Sequence, residues 1–212
     1  MIASFTHNFI FIKTRKTAGT SAEIVMSSWC RGNDICTPIS TRDEDIRAEF
    51  GGQAMNYRGW FGAKYVSHMH ASAVRKRLNG FWERAYTFAV DRHPYDKVLS
   101  QSAFRLGRQG SYTPDDLIQE IDNLLATDRY LNYPLYTYNG SVIVDQVVRY
   151  EELWDHLKSL AERTGNPFPH TLPMAKGQFR NDFVTRELLT PQQKRDIQKG
   201  AEFEFSLLGW DA

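Results

Sequence analysis

The sequence predicts an α/β fold with a parallel central sheet covered by helices on both faces. Short apolar runs rich in β-formers alternate with segments of helical period. Two of the helix starts carry Thr-Pro capping signals. The 212 residues contain no repeat, low-complexity tract or long linker, and so read as one domain, 1–212, with a core of its own. In such sheets ligands bind beyond the carboxyl ends of the strands.

Asn8–Lys13 is an apolar run that reads as a buried strand. Thr14–Ser21 is a turn of small and basic residues, and Ala22–Trp29 reads as a helix. Residues 30–62 are polar and glycine-containing without a clean period, a long excursion with local helix. Tyr65–Ser67 reads as a short strand, and Ala71–Leu78 as a helix bearing Arg75, Lys76 and Arg77. Tyr86–Asp91 is a second strong strand. Pro94 stands where a first helical turn tolerates it, and the helix should run to Arg105.

Thr113-Pro114-Asp115-Asp116 is a capped helix start, followed by a stripe of Leu117, Ile118, Ile121, Leu124 and Leu125. Val142–Tyr150 is a strand region and Glu151–Arg163 a helix. Gly165–Arg186 is irregular, and Thr190-Pro191-Gln192-Gln193 opens a last helix.

Composition narrows the function. A formal charge of +1 provides no global basic field, which disfavours a general nucleic-acid binder. No apolar stretch approaches the roughly 20 residues that span a bilayer. The first residues lack a basic n-region and long h-region, so the expected location is the cytoplasm. Cys30 and Cys36 read as two free thiols, too few for a zinc site or a disulfide framework.

The turn Lys16-Thr17-Ala18-Gly19-Thr20-Ser21 has the chemistry of an anion site. Backbone N–H groups and the dipole at a helix start favour negative charge. Gly19 permits close backbone approach or positive φ. Thr17, Thr20 and Ser21 add hydroxyls, and Lys16 adds a full charge. The nucleotide-kinase pattern G-x-x-x-x-G-K-[ST] is absent, because here the lysine precedes the glycine. An ordinary solvated turn is the alternative reading.

Phe9-Ile-Phe-Ile-Lys-Thr-Arg-Lys-Thr-Ala-Gly-Thr-Ser21 resembles the 5′-phosphosulfate loop of carbohydrate-type sulfotransferases, an apolar strand followed by P-K-T-A/G-G-T-S. Arg15 stands where the proline is common. The resemblance is to enzymes similar to heparan sulfate 2-O-sulfotransferases and bacterial sulfotransferases. They use 3′-phosphoadenosine-5′-phosphosulfate (PAPS), and the product is adenosine 3′,5′-bisphosphate (PAP). It implies a three-layer α/β/α, P-loop-like sulfotransferase fold, with residues Arg15, Lys16, Thr17, Ala18, Gly19, Thr20 and Ser21 at the 5′ end of the nucleotide.

Phe88-Ala-Val-Asp-Arg-His-Pro-Tyr-Asp-Lys-Val-Leu-Ser100 resembles the family's 3′-phosphate motif, F-x-x-V-R-N/D-P-Y-D-R-L-x-S. By that resemblance Arg92 and Ser100 hold the 3′-phosphate, and a guanidinium fork suits that task. Asp91 and His93 depart from the usual Val and Asn/Asp. A carboxylate at 91 is unfavourable there unless it turns away or pairs.

Tyr65-Val-Ser-His-Met-His-Ala-Ser72 resembles the segment that carries the catalytic histidine. It implies His68 as general base, with His70 as the less favoured choice. Met174–Arg180 is similar to the late loop over the nucleotide, which adds Lys176, Gly177 and Arg180 as cofactor-binding candidates beside the reading of a solvated basic loop. Val147–Leu153 and Glu202–Trp210 extend the likeness toward the C-terminus. Tyr130, Tyr133, Tyr136 and Tyr138 read mainly as core, with the lining of an acceptor pocket, which Trp60 and Phe61 would also border, as the alternative reading.

The expected reaction is sulfuryl transfer to an acceptor hydroxyl of a carbohydrate or small molecule. His68 is the base, Lys16 the electrostatic catalyst, and no metal is required. A nucleotide-dependent phosphotransferase and a non-catalytic nucleotide-binding protein are the rival readings.

Overall fold

The computed structural model describes residues 1–59, 63–171, 173 and 181–211. In chain order the elements begin with β1 (Ile2–Ser4), β2 (Phe9–Ile12), α1 (Gly19–Ser27), β3 (Ile35–Cys36) and α2 (Thr41–Glu49). Next come α3 (Ala71–Arg77), α4 (Asn79–Trp82), β4 (Tyr86–Asp91), α5 (Pro94–Gly107) and α6 (Pro114–Leu125). Then follow α7 (Tyr133–Tyr136), β5 (Thr137–Tyr138), β6 (Ser141–Val142), β7 (Gln146–Arg149) and α8 (Leu153–Thr164). The last are α9 (Pro191–Gly200) and α10 (Glu202–Leu208). The chain gathers into two compact units. One comprises Met1–Thr14, Ala18–Asp91 and Pro134–Ala175; the other comprises Arg15–Thr17, Arg92–Tyr133 and Lys176–Ala212.

The first unit holds the main sheet, in the order β3-β1-β2-β4-β7. The sheet is mostly parallel. β2, β4 and β7 run parallel, with Phe11 beside Phe88 and Ala89 beside Val147. β1 corrects the all-parallel expectation, because it is antiparallel to both β2 and β3. The link of residues 5–8 between β1 and β2 explains this. A parallel crossover needs about a dozen residues or more, so so short a connection reverses the chain. Tyr65–Ser67 forms no strand; Arg58 makes only an isolated bridge to Lys64.

All four residues of β2 are buried, which is why that strand reads as an unbroken apolar run. Phe9, Phe11, Phe88, Val90 and Val148 pack with Ala22, Val25, Met26 and Trp29 of the α1 region and with Leu153, Leu157, Leu160 and Ala161 of α8. Cys30 and Cys36 are buried and unbridged. Their mutual hydrogen bond, then burial, push the Cys30 thiol up. Among the described residues no helix is long and apolar enough to cross a membrane.

His156 of α8 lies with its ring 4.8 Å from that of Phe88. Burial, and then the Arg163 charge, lower its pKa from 6.5 to about 4. The unfolded chain therefore takes up a proton in that window that the folded chain refuses. Stability is full above pH 6.5 and falls as the pH drops toward the folded value. We expect the melting temperature of His156→Phe to fall less than the parent's across this window. Parallel curves in thermal melts at stepped pH would remove His156 as a source of acid sensitivity.

The second unit is helical. Val98, Leu99 and Ala103 of α5 pack with Leu117, Ile121 and Leu124 of α6, Ile197 of α9 and Phe205 of α10. Both Thr-Pro starts form full capping boxes, Thr113 with Asp116 and Thr190 with Gln193. Gln193 also donates to Ile118 O at 3.1 Å and Asp122 Oδ1 at 2.7 Å, tying α9 to α6.

Candidate functional site

The β2–α1 turn has unusual backbone geometry. Lys16 (φ 61°) and Ala18 (φ 53°) both occupy the left-handed region. This costs a non-glycine residue about 1–2 kcal/mol each. Such conformations concentrate at functional sites. Ala18 is the N-cap of α1 and provides no side-chain cap, and the first turn of that helix carries no acidic residue. The helix start is thus left to its own dipole and N–H groups. Gly19 has ordinary φ and serves close approach instead, since a Cβ there would fall 2.8 Å from Lys13 Cγ. Thr17 and Thr20 are buried, and the Ser21 hydroxyl donates to Pro173 O at 2.5 Å.

Residues 15–17 pack within the second unit. Asn132 Oδ1 accepts from Arg15 N at 2.9 Å, and Asn132 Nδ2 donates to Arg15 O at 2.9 Å. Lys16 Nζ sits 4.1 Å over the Phe104 ring. Burial, and then the nearby Arg129 charge, hold the Arg15 guanidinium below its ordinary pKa. Two like charges held this close suit an anionic ligand.

Arg92 and Ser100 lie in the same unit, both half-buried, Arg92 just ahead of α5 and Ser100 along it. Asp96, between them, takes Arg186 bidentately at 3.1 and 2.7 Å. Burial opposes the Asp96 charge, but Arg186, with Arg92 and His93 adding, holds its carboxyl below the ordinary range. Asp91 accepts from the Tyr136 hydroxyl at 2.9 Å, which pairs the carboxylate whose position looked unfavourable. His93 is the N-cap of α5. Its Nδ1 accepts from Tyr95 N at 3.3 Å, so the neutral ring carries its proton on Nε2, facing Asp211 O at 3.3 Å.

His68 is exposed, and its Nδ1 lies 3.2 Å from Lys13 O at the head of the turn. A carbonyl only accepts, so Nδ1 donates, and the neutral ring's lone pair is on Nε2. That is the tautomer a general base needs. His70 caps α3, with Nδ1 2.7 Å from Pro134 O. Of the tyrosines, Tyr130 and Tyr136 are core, whereas Tyr138 is exposed. Lys176, Gly177, Arg180, Trp60 and Phe61 lie outside the described residues.

Asn132 and Arg129 were not singled out from the sequence. Both flank Tyr130 in a segment whose aromatics suggest core, and only a contact across 117 residues reveals the first. Comparison of the chain with family models, curated proteins and solved structures finds no match.

Proposed function

We propose that the protein is a sulfotransferase that uses PAPS and transfers its sulfuryl group to an acceptor hydroxyl. The reading rests on Arg15–Thr17, where left-handed Lys16 and the Arg15 guanidinium beside the Arg129 charge gather positive charge in the unit that also carries Arg92 and Ser100. The donor set suits an anionic nucleotide. Lys16 and Thr17 would hold its 5′ end, and Arg92 and Ser100 its 3′-phosphate, all in one compact unit.

PAPS, when bound, supplies the activated sulfuryl group. His68 Nε2 takes the proton of the acceptor hydroxyl, while its Nδ1–H stays on Lys13 O and keeps the ring oriented. Lys16 leaves the Phe104 face and offsets negative charge at the transferring group. Arg92 fixes the register of the nucleotide.

The test is calorimetric titration with PAP beside ADP, which needs no acceptor. Binding that requires the 3′-phosphate is expected, weakened about 10–100-fold in Arg92→Ala, as loss of a charge-assisted hydrogen bond of about 1.5–3 kcal/mol implies. Equal binding of ADP, or no binding by folded protein, overturns the reading.

A further inference from the structure

One network of buried polar groups joins the two stretches that the proposed function assigns to the nucleotide. Asn132 is fully buried, and its side-chain amide pairs with both backbone groups of Arg15 at 2.9 Å, much as a neighbouring strand would. The amide oxygen accepts from Arg15 N and the amide NH2 donates to Arg15 O, so the two sides of the group grip one residue's backbone. Its own backbone N donates to Glu204 Oε1 at 2.6 Å, and Tyr133 N donates to the same oxygen at 3.0 Å. The other Glu204 oxygen pairs with Lys97 Nζ. Lys97 and Glu204 are both 0% exposed.

Lys97 sits on α5, between Arg92 and Ser100. The chain of contacts therefore runs from α5 through Glu204 and Asn132 to the backbone of Arg15, all within one compact unit. A buried carboxylate that neutralises one lysine and takes two backbone N–H groups is a rigid anchor, since each partner lost would leave a polar group without water.

We propose that Asn132 is a positioning residue: it registers the Arg15–Thr17 turn to α5, so that Lys16, Arg92 and Ser100 address one nucleotide. This rests on the nucleotide reading above. Asn132 acts through the Arg15 backbone. Without it, Arg15–Thr17 is expected to sample other conformations, and the left-handed geometry of Lys16 loses its support.

Two readouts on folded protein test this. The first is amide hydrogen exchange of Arg15, relative to α6 amides in the same sample. Asn132→Ala is expected to speed Arg15 exchange about 10-fold or more over any global change, the effect of losing a net hydrogen bond. The second is PAP affinity, expected to fall about 10-fold alongside. A merely structural role would lower global protection evenly and leave the ratio unchanged, which overturns the proposal.

Should Asn132→Ala fail to fold, Asn132→Leu keeps about the side-chain volume but loses both the acceptor for Arg15 N and the donor to Arg15 O. The same two shifts are then expected in it. Nucleotide binding by the parent that survives in either folded variant also overturns the proposal. If the parent binds no PAP yet the exchange ratio moves, the sulfotransferase reading fails and Asn132 merely braces a turn. Exchange and binding thus separate the two failures.

Discussion

Replacing His68 with alanine is expected to lower turnover about 10²–10⁴-fold, the usual contribution of a positioned general base. PAP affinity should hardly change. The hydrogen bond from Nδ1 to Lys13 O at 3.2 Å settles which ring nitrogen carries the lone pair. The ring is exposed, so an acceptor can reach it. Transfer of labelled sulfuryl from PAPS to an acceptor found by screening would measure the loss. The acid limb of the pH–rate profile should disappear with the side chain. His68→Gln, which retains a donor for Lys13 O, should restore stability but not rate. Near-parental turnover in His68→Ala would remove the assignment of the base.

The second large effect is on stability. Glu23 of α1 is fully buried and accepts from Lys13 and the Met1 ammonium, with Arg47 Nη2 at 3.9 Å. Glu23→Ala would strand buried cations, a change that typically costs about 3–5 kcal/mol. Burial opposes the Glu23 charge, yet the Met1 ammonium and Lys13 outweigh it and hold the carboxyl at about 2, against an ordinary 4.5. A depressed carboxyl adds stability above its unfolded value and loses it as the pH falls through the folded one. The parent should therefore weaken between pH 4.5 and 2, and a folded Glu23→Ala protein should show a flatter acid dependence. Urea titrations at neutral and acid pH would read both. A loss below about 1 kcal/mol at neutral pH would show that the cluster does not stabilise the fold, as some buried ion pairs do not.

The parts of the fold that were legible in the sequence are those whose causes are local. Thr113-Pro114 and Thr190-Pro191 state their helix starts because the cap and its N3 partner are three residues apart. Tyr86–Asp91 reads as a strand because nearly all of it is buried. α1 starts at Gly19, ahead of the expected Ala22, because the apolar pattern marks where packing begins and Ala18 gives no capping signal. β1 was not read at all: three residues carry little pattern, and its reversal follows from a turn at residues 5–8.

In the site, residue types were legible but their partners were not. Lys16, Arg92 and His68 announce charge and proton chemistry. The Lys13 carbonyl that orients His68 and the Tyr136 hydroxyl that pairs with Asp91 are 55 and 45 residues away in the chain. No local rule points to them.

The left-handed residues at Lys16 and Ala18 have a thermodynamic consequence for any ligand. Their conformational penalty falls on folding, where the core absorbs it, rather than on association. If the proposed reading holds, an anion bound at the turn would meet a backbone already set and would lose little affinity to ordering it. Glycine at 18 would relax that backbone and favour the folded chain, while returning the ordering entropy to the binding step.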